Sequence, residues 1–117
     1  MYEVLFYSDA RGRSHAYEFL LSLQAKERGK VLRWIEKLKI EGPDLPRPYA
    51  DIIKGKIREL RIAHGANSFR FLYFLDGNKV IITNAFRKKT WRIPINEIIR
   101  AERLISDYKE GQRRSEV

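Results

Sequence analysis

Apolar positions along the chain change period several times, and each change predicts an element. Tyr2-Glu3-Val4-Leu5-Phe6-Tyr7 is aromatic and β-branched and predicts a first strand, followed by a turn at Ser8-Asp9 and Gly12. Ala16, Phe19, Leu20 and Leu23 then recur at i, i+3, i+4, i+7, the spacing of one helix face. Val31, Ile35 and Leu38, with Trp34 beside them, form a second such set. A break between Ser22 and Ala25 turns these into a helical hairpin rather than one rod, although Gly29 costs about 1 kcal/mol against alanine inside the second helix. Gly42-Pro43 ends the helical region, since glycine caps and proline cannot continue. Three prolines from Pro43 to Pro48 predict an irregular connection.

From Lys56 the pattern is that of strands. Lys56 to Ile62, Asn67 to Phe74 and Val80 to Phe86 are separated by His64-Gly65-Ala66-Asn67 and by Asp76-Gly77-Asn78. The Asp-Gly step suits the positive φ of a tight hairpin. This predicts a three-stranded antiparallel meander. Ile95, Ile98, Ile99, Glu102 and Ile105, flanked by Ala101 and Tyr108, mark a last helix. The expected fold is α+β: a small antiparallel sheet, made of the N-terminal strand plus the meander, packed on the hairpin, with a C-terminal helix. Residues 1–108 read as one domain and 109–117 as a polar, frayed tail, with no repeat and no second domain.

Charge adds a function class. Lys plus Arg is 24 against 15 Asp plus Glu, a formal +9, which calls for an anionic partner such as nucleic acid, an acidic protein or a membrane surface. No cysteine is present, so disulfides, thiolate chemistry and Cys-ligated zinc are excluded, in keeping with a reducing compartment. No apolar run reaches the roughly 20 residues of a membrane span, and Met1 to Tyr7 lacks the features of a signal peptide. A soluble, cytoplasmic protein is expected. The cations concentrate in Phe86-Arg87-Lys88-Lys89-Thr90-Trp91-Arg92, directly after the third meander strand, with no acid among them.

Side-chain parity sorts further charges onto faces. Leu60 and Ile62 share the face expected to pack on the helices, while Ile57, Glu59 and Arg61 share the other. On the next strand Arg70 lies with Leu72 and Phe74, opposite Phe69, Phe71 and Tyr73. An arginine in such a strand is costly to bury unless its charge is met. Parity therefore points Arg70 to an open face beside Arg61 and the cluster, forming one basic surface that a β-bulge would undo. Plainer roles stay open: Arg61 paired to Glu59 or another acid, Arg70 paired to a helix carboxylate, and Arg87-Lys88-Lys89 as a solvated loop. His64 reads as a turn residue and His15 as a helix-surface residue. Two isolated histidines without cysteine leave a metal site little to work with. No glycine-rich phosphate loop and no nucleophile–His–acid set occurs. Trp91 and Tyr73 are candidates for stacking on bases.

In order and spacing, Lys54-Gly55-Lys56-Ile57-Arg58-Glu59-Leu60-Arg61, Phe69-Arg70-Phe71-Leu72-Tyr73, Phe86-Arg87-Lys88-Lys89-Thr90, Pro94 and Ala101-Glu102 resemble the RelE/HigB-type toxins, in particular their phage-derived branch. The resemblance spans the chain from the first strand to about Tyr108. It implies a toxin of a toxin–antitoxin pair that enters the ribosomal A site and cuts mRNA without metal or cofactor, by driving the ribose 2′-hydroxyl onto the adjacent phosphate. It also implies an antitoxin partner, often a helix-turn-helix protein. By position, Arg70 matches the central phosphate-binding arginine, Arg61 a second basic position, and Lys88 and Lys89 the cations after the last strand. With Glu59, residues Arg61, Arg70 and Lys88 form the expected catalytic set. Lys54, Lys56, Arg87, Lys89, Thr90, Trp91 and Arg92 are the expected RNA- or phosphate-binding set. Two departures from the RelE pattern leave the general base unassigned: Glu59 stands where lysine is often found, and Thr90-Trp91 follows the cluster in place of a tyrosine. Two other classes remain open. One is a non-catalytic RNA-binding or phage regulatory protein on the same fold; the other is a DNA-associated partner whose basic face holds an acidic antitoxin.

Overall fold

The computed structural model describes residues 1–89 and 91–115. In chain order these form strand β1 (Glu3–Phe6), helices α1 (His15–Ser22) and α2 (Ala25–Glu41), a 3-10 turn (Gly42–Asp44), strands β2 (Ala50–Lys54), β3 (Ile57–His64), β4 (Asn67–Asp76) and β5 (Lys79–Arg87), and helix α3 (Ile95–Ser115). The sheet has five strands in the order β1-β5-β4-β3-β2. Helices α1 and α2 cover one face over a core that includes Leu20, Val31, Leu38, Leu60, Ile62, Phe69, Phe71 and Ile82. On the opposite face α3 packs through Ala101 and Ile105 over Ile57, Leu72, Phe74, Ile81 and Phe86. The α+β architecture and the meander agree with the reading of the sequence.

The helical hairpin breaks where the periodicity predicts. Ser14 Oγ accepts from the Tyr17 amide at 3.2 Å and starts α1. Glu27 accepts from the Gln24 amide at 3.1 Å and starts α2. Arg28 then reaches back from α2 to the carbonyls of Leu20, Leu21 and Leu23 at 3.3, 3.3 and 2.7 Å. It thereby adds a donor to the carbonyls at the end of α1, where the Leu20 carbonyl also accepts from the Leu23 amide at 3.2 Å.

Three features depart from expectation. First, β1 pairs parallel to β5, with Glu3 opposite Lys79 and Phe6 opposite Ile82, so the sheet is mixed rather than antiparallel. A strand at one end of the chain can take that place because α1, α2 and the meander form the crossover. Second, Ala50–Lys54 adds an edge strand antiparallel to β3. Third, residues 109–115 continue α3. Lys109, Gln112 and the pairs Glu110–Arg113 and Glu110–Arg114 carry the exposed helix through Gly111 without an apolar face. Residues 116 and 117, the end of the expected tail, lie outside the described residues. Among those described, no helix is long and apolar enough to cross a membrane.

An irregularity in β5 decides where the basic cluster points. Leu72 pairs with Asn84 and Tyr73 with Ile82, so Thr83 is an extra residue in β5. Its hydroxyl oxygen lies 3.2 Å from the Leu72 carbonyl and 2.7 Å from Asn84 Oδ1, which keeps a buried bulge supplied with polar contacts. Before the bulge, Val80 and Ile82 face the helical hairpin; after it, Ala85 does, and Phe86 faces α3.

Beyond the end of β1, His15 covers the exposed side of β5. Its Nδ1 accepts from the Ala85 amide at 3.3 Å, and its Nε2 lies 2.9 Å from Arg100 Nη1. It is thus an edge cover, not a free helix-surface residue. Burial first, and then the Arg100 charge, push the imidazole below its ordinary pKa. The unfolded chain therefore takes up the proton first as pH falls. Stability is whole above about pH 6.5 and is lost as pH drops below it toward the folded-state value. Thermal melts of the wild type are expected to fall between pH 7.5 and 5, and His15→Asn to flatten that part of the profile. A fall of equal size in the variant would assign the effect to other groups.

Candidate functional site

The described members of the expected catalytic set meet at one end of the sheet on the α3 side. Arg61 on β3 stands directly opposite Arg70 on β4. Two like charges in cross-strand register repel. Glu59, two residues before Arg61 and therefore on the same face, lies between them: its Oε1 is 2.6 Å from Arg61 Nε and its Oε2 is 3.3 Å from Arg70 Nε. The second contact is an ion pair without hydrogen-bond geometry, and both of its atoms are buried. Arg70 is held from its other side by Ser68 Oγ at 2.6 Å and the Phe69 carbonyl at 3.1 Å, both accepting from Nη1. Arg61 also reaches Asp51 on β2 at 3.2 Å, and Asp51 in turn pairs with Arg47 at 3.0 Å.

Lys88 completes the set. The bulge at Thr83 puts the even positions after it on the face of Arg70, and the Lys88 amide donates to the Ser68 carbonyl at 2.8 Å. Burial, then the charges of Arg70 and Arg61, hold the Lys88 ammonium below the usual lysine pKa, with Glu59 opposing. Burial does the same to the Arg70 guanidinium, which stays charged at any working pH. The site therefore offers two fixed guanidiniums, one amine eased toward deprotonation, and a carboxylate 2% exposed that holds the pair. Such an array can bind a phosphodiester and stabilise charge developing on it.

The other candidates scatter. Arg87 turns to the opposite face, with its guanidinium 5.1 Å over the Phe69 ring. Lys54 pairs with Glu102 on α3 at 3.1 Å. Lys56 lines a separate cleft with Asp76 and Tyr108. Lys89 is exposed, Trp91 is 84% exposed, and Arg92 lies 5.5 Å over the Trp91 ring. Thr90 lies outside the described residues. Tyr73, a stacking candidate in the sequence, is buried in the core, its hydroxyl pushed up to about 12 by burial. It is not available to a base.

A cleft of about 420 Å³ opens beside the arginines, lined by Lys30, Trp34, Tyr49, Arg61, Ser68 and Arg70 among others. A wider one of about 690 Å³, between β1 and the C-terminal half of α3, stands apart from Arg61, Arg70 and Lys88. Asp51, Ser68, Trp34 and Tyr49 are site neighbours that pattern reasoning did not single out. No clean alternation in Ala50-Asp51-Ile52-Ile53-Lys54 marks the edge strand that brings Asp51 beside Arg61.

Residues 18–106 match the family described as phage derived protein Gp49-like (DUF891). The chain belongs to that family. The Gp49-like family is RelE-like and toxin-like in kind, in keeping with the α+β architecture described above. No curated protein matches the chain significantly. The matched range includes Glu59, Arg61, Arg70 and Lys88, so the site lies within the part of this Gp49-like protein that carries the family likeness.

Proposed function

We propose that this Gp49-like protein is the toxin of a toxin–antitoxin pair of the HigB-like branch, a cytoplasmic ribosome-dependent mRNA endonuclease held in check by an antitoxin. The observation that carries the reading is the opposed Arg61–Arg70 pair, bridged by buried Glu59, with Lys88 beside it. A single domain over residues 1–108 is part of the same proposal.

The reaction needs three things: a group to take the 2′-hydroxyl proton, cations for the phosphorane, and a proton for the leaving oxygen. The 2′-oxygen attacks phosphorus, the P–O5′ bond breaks, and the products are a 2′,3′-cyclic phosphate and a 5′-hydroxyl. Arg70 and Arg61 hold the non-bridging oxygens. Lys88, with its lowered pKa, is the better proton carrier, because Glu59 is engaged with two guanidiniums and is buried beneath them. In this arrangement Glu59 positions the arginines instead of moving the proton.

Expression of the wild type in bacteria, with mapping of transcript ends, tests the reading. Growth arrest with cuts confined to translated transcripts is expected. Vigorous growth at high expression with uncut transcripts would sink it and leave a non-catalytic RNA-binding role.

A further inference from the structure

Trp34 on α2 and Tyr49 just before β2 are stacked, with ring centroids 4.6 Å apart and planes 28° from parallel. Tyr49 remains 42% exposed, unlike the aromatics of the core. At the open edge of β3, where the hairpin side of the sheet meets the α3 side, the same pair lines a cleft bordered by Arg61 and Arg70, and the Tyr49 carbonyl accepts from the Arg61 amide at 2.8 Å. The ring is therefore tied through the backbone to one of the two phosphate-facing arginines. Two lysines of α2 accompany the stack: Lys30 lines the cleft, and Lys37 Nζ lies 5.2 Å from the Trp34 ring centroid. Single-stranded nucleic acid is held in this way elsewhere, by a basic groove that tracks the backbone and aromatic faces that take the bases. A ring already stacked from below loses little freedom when a base covers it.

We propose that Tyr49, supported by Trp34, is a nucleobase-stacking platform that places a nucleotide next to the phosphate held by Arg61 and Arg70. The inference rests on the RNA-cleavage reading of that cleft. Tyr49 is then a specificity-determining residue: it binds a base and takes no part in the bond changes.

The test compares wild type, Tyr49→Leu and Tyr49→Phe on ribosomes programmed with one mRNA, recording cut sites and the dependence of the single-turnover rate on protein concentration. Leucine keeps bulk over Trp34 without a π-face, and phenylalanine keeps the face without the hydroxyl. Tyr49→Leu is expected to raise the half-saturating concentration roughly tenfold and to flatten the base preference beside the cut, whereas Tyr49→Phe keeps both near wild type. Unchanged saturation and preference in Tyr49→Leu would overturn the inference while leaving the cleavage reading intact. A uniform loss of rate at every site with unchanged preference would overturn it too, by making Tyr49 a structural prop. Absence of any cutting by the wild type would remove the cleavage reading, and the platform with it.

Discussion

Arg70→Ala is expected, under the proposed cleavage, to lower cutting of translated transcripts by about 100-fold or more and to release the growth arrest expected of the wild type. Removing one fixed donor from a charge that develops in the transition state typically costs a factor of this order. Arg70 is unusually well fixed for the task. Ser68 Oγ and the Phe69 carbonyl hold Nη1, Glu59 lies at Nε, and only 12% of the side chain is exposed. Arg70→Lys keeps the charge but loses the planar fork, so it should recover only a small part of the rate. Thermal melts of both variants separate loss of chemistry from loss of fold, because Glu59 keeps Arg61 as a partner when Arg70 is gone. Cutting by a folded Arg70→Ala protein at near the wild-type rate would remove Arg70 from the mechanism.

The second large effect is on stability. Glu59→Ala is expected to destabilise the protein by about 3 kcal/mol, read from urea unfolding, because it leaves Arg70 largely buried without its acid and directly opposite Arg61. Replacing both partners with apolar residues, as in Glu59→Leu with Arg70→Met, should restore most of that loss, since the penalty is an unmet buried charge rather than a missing attraction. A Glu59→Ala protein within about 1 kcal/mol of wild type would show that water reaches the guanidinium and that Glu59 is not its structural counterion.

Much of this site is legible in the sequence because strand parity is a strict rule over short distances. Glu59 and Arg61 are two apart on one strand. Arg70 shares its face with Leu72 and Phe74, as the α3-side core does, and no irregularity separates β3 from β4. The helical hairpin is legible for the same reason, since its apolar spacing is regular. Parity fails across the bulge. Nothing in Val80-Ile81-Ile82-Thr83-Asn84-Ala85 announces that Thr83 is supernumerary, yet that residue decides that Lys88 joins Arg70 while Arg87 rests on Phe69. Asp51 escaped because a five-residue edge strand behind three prolines carries little periodic signal. Tyr49 escaped because a stack between a helix and a loop has no sequence period at all.

The parallel pairing of β1 with β5 has a consequence for how the protein comes into being. Glu3 waits for Lys79, so the first strand to be synthesised cannot dock until almost the whole sheet has followed it. Contacts so distant in sequence carry the full entropy of closing the intervening loop and form late. Lys88 directly follows β5, the strand on which β1 docks. A nascent chain that has not yet released β5 therefore has neither a finished sheet nor a finished site.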